Sequence, residues 1–102
     1  MVRAAWQERP IDQVKGLALR LTGQPGVITL LGIAGTRSQL LFGRSEDVSF
    51  DLKPLFNAAL AALGGGKGGG ARLLQGAAGA ADLLVLEQAL QAVEGQLAGG
   101  GA

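Results

Sequence analysis

Between residues 64 and 70 the chain runs Gly64-Gly65-Gly66-Lys67-Gly68-Gly69-Gly70, six glycines broken by one lysine. No side chain here can anchor packing, and ordering each glycine costs more backbone entropy than ordering any other residue. Such a segment is either a linker or a packed element whose geometry leaves no room for a Cβ. Linkers usually mix in serine and join independent units. This run follows an apolar helical pattern and precedes an apolar strand pattern, which favours a structured loop within one domain. Glycine makes up 18 of the 102 residues without any repeat period, so collagen-like and solenoid architectures are excluded.

Absences narrow the chemistry further. The chain has no His, no Cys and no Tyr, which removes His- or Cys-bound zinc, nucleophilic Cys or Ser–His catalysis, and disulfides. With 48% hydrophobic and 17% charged residues it reads as one globular domain. No apolar run approaches the ~18 residues of a membrane span, residues 1–10 lack a signal-peptide core, and a cytoplasmic, membrane-free location is expected. The net charge of +1 is unevenly spread. Residues 1–45 are net +4 and residues 64–79 net +2, whereas residues 46–63 are net −2 and residues 80–102 net −3. A polyanion would meet a basic patch here, not a uniformly basic surface.

Periodicity predicts the order helix–strand–strand–helix–strand–helix. Pro10 opens a helix whose apolar stripe is Ile11, Val14, Leu17, Ala18 and Leu21, with Gly23 as its cap and Pro25-Gly26 beyond. Residues 27–33 and 39–44 form an antiparallel hairpin around a turn at residues 35–38. Asp51 and Pro54 start a second helix with Leu52, Leu55, Phe56, Ala59, Leu60 and Leu63 on one face. Leu73-Leu74-Gln75-Gly76 is a third strand, and Leu83, Leu86, Leu90, Val93 and Leu97 define the last helix. The expected fold is α+β: a small sheet, an antiparallel hairpin plus one further strand, packed with about three helices on one side. Residues 1–9 read as a leader or the end of a preceding helix, 10–97 as a single domain, and 98–102 as a disordered tail.

The glycine segment carries the functional information. Bare main-chain N–H groups can form a concave nest for an anion, with Lys67 and Arg72 supplying charge. Phosphate is the guest this chemistry suits, in a nucleotide or a nucleic-acid backbone. A Walker loop does not fit, because Ala61 stands where its first glycine belongs and Gly68 follows Lys67. Gly64, Gly66 and Gly69 match a dinucleotide-binding spacing, but a helix precedes them and a strand follows, the reverse of the order that motif requires.

Gly65-Gly66-Lys67-Gly68-Gly69, followed by Arg72-Leu73-Leu74-Gln75-Gly76, resembles the glycine-rich C-terminal domain of alanyl-tRNA synthetases and of the longer alanyl-tRNA editing proteins. A similar domain, associated with DHH-type phosphoesterases, follows their catalytic half. Asp51-Leu52-Lys53-Pro54-Leu55 and the preceding hairpin also fit, so the resemblance covers residues 10–97. The chain departs from the family pattern at Ala71, Leu74 and Ala77, and lacks the histidine of the phosphoesterase branch. The resemblance implies a non-catalytic accessory domain that binds tRNA and works beside a catalytic domain on the same or another chain. By resemblance that parent is a ligase or a hydrolase, with no cofactor and no metal held by this domain. The implied phosphate contacts are Gly65, Gly66, Lys67, Gly68, Gly69, Gly70, Arg72, Gln75 and Gly76, extended by Arg37 and Arg44 from the hairpin.

Two alternatives come from other classes. A structural module would dimerise or dock through its apolar helix faces. A phosphoesterase would need clustered carboxylates or histidines, whereas Asp47, Asp51, Asp82 and Glu87 are scattered and two of them stand at helix starts. Trp6 is isolated, and Phe42, Phe50 and Phe56 fall in apolar patterns, which leaves little for base stacking.

Overall fold

The computed structural model describes residues 2–48, 51–70 and 73–100, with main chain only at 67 and 98–100. Its elements in chain order are β1 (Val2–Gln7), α1 (Ile11–Thr22), β2 (Ile28–Ala34), β3 (Gln39–Arg44), α2 (Lys53–Ala62), β4 (Lys67–Gly69), β5 (Leu73–Ala77) and α3 (Leu83–Gly100). The strands make one mixed sheet in the order β1-β2-β3-β5-β4. β1 runs parallel to β2, and every other pairing is antiparallel. A parallel pair needs a crossover, and α1 supplies it. Among the described residues no helix is long and apolar enough to cross a membrane.

The predicted hairpin, third strand and three helices are all present, inside a larger sheet. Residues 2–7, expected as a leader or helix end, are an edge strand instead. Ala4 and Ala5 carry little strand preference of their own, so β1 is specified by pairing with β2 from Val2↔Thr29 to Gln7↔Ala34. β4 is the other addition, discussed below. At the far end, α3 continues through Gly100, over residues expected as tail. Residues 101 and 102, with Phe50 and Arg72, lie outside the described residues.

The helices occupy both faces of the sheet, not one. Adjacent strand residues point to opposite faces, and β2 is apolar on both. Leu30, Ala34, Leu40, Phe42 and Leu74 face α2 and α3, packing with Phe56, Leu60, Leu63, Leu86 and Leu90. Leu31, Ile33 and Leu41 face α1, packing with Val14 and Ala18. A continuous apolar run such as 27–33 is the mark of a strand covered twice. The larger core centres on Phe42 and Phe56, whose rings meet edge to face at 5.3 Å and 77°. Gly32 makes room for α3, because a Cβ there would come within 2.9 Å of Leu86 Cδ1.

The cap expected at Asp51 is displaced by one residue: Leu52 is the N-cap of α2, with no side-chain cap bond, and Asp51 stands just before it. Asp82 Oδ1 accepts the Val85 N–H at 2.9 Å at the start of α3, and Asp51 Oδ1 accepts the Lys53 N–H at 3.0 Å. Pro54 sits in the first turn of α2. Asp47 accepts the Gly26 N–H with both oxygens, at 3.0 and 3.1 Å, fixing the turn where Gly26 takes φ +74°.

Replacing Phe56 with Ala empties the centre of the larger core and is expected to cost about 3–5 kcal/mol in urea unfolding. Leu84→Ala, at a side chain 64% exposed, should change stability by less than about 0.5 kcal/mol. Equal effects of the two substitutions would contradict this placement of the core.

Candidate nucleic-acid interface

The glycine segment begins as the end of α2. The Gly65 N–H donates to Leu60 O at 2.9 Å and the Gly64 N–H to Ala61 O at 3.2 Å, with Gly64 at φ +98° and Gly65 at +81°. This pair of bonds is the Schellman termination, which requires a left-handed residue after the last helical turn. The Gly65 amide, expected among the phosphate donors, is therefore taken by the helix end. The chain then extends as β4, antiparallel to β5 with Lys67↔Ala77, Gly68↔Gly76 and Gly69↔Gln75. Along residues 67–69 an extended edge strand replaces the predicted concave loop.

Glycine is required here by close approach. A Cβ on Gly68 would lie 2.5 Å from both Gln75 O and Gly76 Cα; on Gly66 it would run into Ala77 O, and on Gly70 into Leu73 O. The main chain of β4 thus lies against β5 with no room for a side chain at Gly68, while among the described residues its outer edge has no strand beside it. Half the N–H and C=O groups of an edge strand point away from the sheet. The far end of the hairpin is also tied down. Gly79 N–H donates to Leu63 O at 3.0 Å, and Ser38 donates to Gly79 O from its N–H at 2.9 Å and its Oγ at 2.6 Å. Both ends of the hairpin are thereby fixed near the C-terminus of α2.

Register sorts the predicted cations between the two ends of the sheet. Trp6, Ile33, Gln39, Ala77 and Lys67 form one row across all five strands. The β2–β3 turn bearing the exposed Arg37 closes this end, so residues 37 and 67 share it. Arg44 pairs with Ile28 at the opposite end, some 17 Å along β3 at ~3.3 Å per residue. Its Nη1 donates to Val48 O, which commits the guanidinium to the chain itself. Arg72 lies outside the described residues. It directly precedes Leu73, which pairs with Gly43 beside Arg44.

Gln75 is exposed on the sheet face that carries Leu41, and Gly76 lies between Leu40 and Gly68. The carboxylates stay apart: Asp47, Asp51 and Asp82 each accept a main-chain N–H. Among the described residues, no three His, Cys, Asp or Glu side chains converge as metal ligands. Trp6 is not isolated. It packs against the Val14–Ile33 core with the Arg9 guanidinium 5.3 Å above its ring. That arrangement depends on β1, which the sequence pattern did not show.

No protein-family model matches the chain. An alanine–tRNA ligase of Granulibacter bethesdensis is 38% identical over a 90-residue alignment that covers 84% of this chain and 10% of that enzyme. The chain thus spans about a tenth of the curated relative it matches. The crystal structure of the C-Ala domain from Aquifex aeolicus alanyl-tRNA synthetase superposes with a TM-score of 0.79 at 19% identity, covering 96% of this chain and 90% of that one. The chain is homologous to one segment of an alanyl-tRNA synthetase and has the fold of a C-Ala domain.

The glycines should not be equivalent to substitution. Gly68→Ala forces β4 off β5, and is expected to lower the melting temperature and speed amide exchange in β5. Gly69→Ala, whose Cβ would meet nothing within 4 Å, should leave both nearly unchanged. Similar behaviour of the two variants would show that β4 does not lie against β5 as described.

Proposed function

We propose that this chain is a non-catalytic tRNA-binding accessory domain of an alanyl-tRNA synthetase or a related alanyl-tRNA editing protein, with the β4–β5 glycine hairpin as its phosphate contact. The observation that supports this most is the glycine edge strand on a domain homologous to a synthetase segment. A main chain without Cβ atoms lets a phosphate oxygen reach amide donors directly. Residues 37 and 67 put positive charge at the same end of the sheet, where it favours the anion and fixes its position. Gly66, Gly68, Gly69 and Gly70 supply main chain, Gln75 and Gly76 the adjoining strand, and Arg72, next to Leu73 in sequence, a second charge. The partner on this reading is tRNA, alanine-specific by homology, and the catalytic domain belongs to the same or an associated cytoplasmic chain. This domain itself would hold no cofactor.

A docking role finds its own support on the opposite face. Leu84 and Val85 are 64% and 42% exposed, and Leu84 lines the groove between β1 and α3. The two roles use different faces and are compatible.

Filter binding to an alanine tRNA transcript is expected to show affinity at about 50 mM salt that falls steeply by about 200 mM. Lys67→Ala, Arg72→Ala and Arg37→Ala should each weaken binding several-fold and flatten the salt slope by about one unit. Arg44→Ala should do so least, because its guanidinium is bonded to Val48 O. No binding at the lower salt, or binding indifferent to salt, would refute the proposal.

A further inference from the structure

Three of the surface grooves among the described residues are similar in size, about 480–520 Å³, and they differ in chemistry. The one between β1 and α3 is lined by Glu87 and by Arg3, which is engaged with Glu94 at 3.5 Å. The one near Ser45 and Asp47 is occupied by internal bonds, Asp47 to Gly26 and Ser45 to Gln24 and Val27. The third, between β1 and α1, brings together Trp6, Arg9, Gly16 and Arg20. Neither of its guanidiniums forms an ion pair among the described residues. Asp12 is the one carboxylate lining it, against two arginines.

We infer that this groove is a second contact for single-stranded RNA, taking one unstacked base on the Trp6–Arg9 pair and the neighbouring phosphate on Arg20. The inference rests on the RNA-binding reading above and extends it to the opposite edge of the sheet. Bases stack on aromatic rings and on guanidinium planes alike, and here a guanidinium already lies 5.3 Å over the only indole. The indole is braced from behind by the Val14–Ile33 core, so a base can press on the pair without displacing it. Gly16 leaves the middle of the groove open, since a Cβ there would meet nothing within 4 Å.

The position also fits. Trp6 and Lys67 end the same five-strand row, four strand spacings or about 19 Å apart, and the Arg37 turn lies between them. RNA held at the glycine hairpin can follow this end of the sheet to Arg9. Charge agrees with that path. α1 bears Lys15 and Arg20 against Asp12, whereas α3 bears Glu87 and Glu94 and no cation.

Trp6 is the only tryptophan and the chain has no tyrosine, so indole emission reports on this groove alone. A short single-stranded uridine oligonucleotide titrated at about 50 mM salt is expected to quench it saturably, with filter binding followed in parallel. Arg20→Ala and Gly16→Glu should weaken the quenching midpoint about ten-fold, the scale of one lost stacking or phosphate contact. Gly16→Glu fills open space on a helix and removes a poor helix former, so its fold should survive, as circular dichroism would check. Binding on the filter without an emission change, or quenching untouched by Gly16→Glu, overturns the groove while the hairpin reading stands. Emission quenching lost in Gly16→Glu with tRNA binding still sensitive to Lys67→Ala supports both. Absence of any RNA binding by the wild-type chain removes both together.

Discussion

Leu30 and Leu31 are neighbours in sequence, point to opposite sides of β2, and are both fully buried. That two-sided burial is the constraint on which the rest of the structure depends. It requires a helix on each face, which divides the core into a larger cluster under α2 and α3 and a smaller one under α1. It also demands that β2 be central, so strands must flank it. β1 fills one side by a parallel pairing that only the α1 crossover permits.

The glycine hairpin follows a different logic. Leu74 of β5 reaches the larger core, but the glycines of β4 add no side chain to it, and this strand is held at the two roots of the hairpin instead. The Schellman bonds at Leu60 and Ala61 fix where it leaves α2, and the Gly79 bonds to Leu63 and Ser38 fix where it returns. Ordering glycine is costly, and here the main-chain ladder and the close approach of β4 to β5 accompany that ordering. The same absence of side chains that weakens a strand leaves its outer edge accessible to a large ligand.

Much of this was legible in the residues, and the limits have physical causes. The helix stripes were readable because burial imposes a period of three to four, and Val14, Ala18, Phe56, Leu60, Leu86 and Leu90 are buried as that period requires. β1 was not, since Ala4 and Ala5 do not favour a strand until β2 is beside them. β4 was hidden because glycine has no strand signal of its own. Within the candidate site, the importance of the glycines as close-approach positions was evident from their density. The separation of Arg37 from Arg44 was not, because it is fixed by register. Nor was the engagement of Gly65 with Leu60, or of Trp6 with Arg9, since both pairings form only when the chain folds back on itself.

The uneven placement of charge between the α1 layer and the α3 layer has a consequence for how the molecule meets a partner. A body with excess cations on one flank and excess anions on the other experiences a torque in the field of a polyanion before any atoms touch. It would tumble into alignment at long range, with α1 and the Arg37 turn leading and α3 trailing. Encounter would thus begin already oriented, with the acidic helix turned outward.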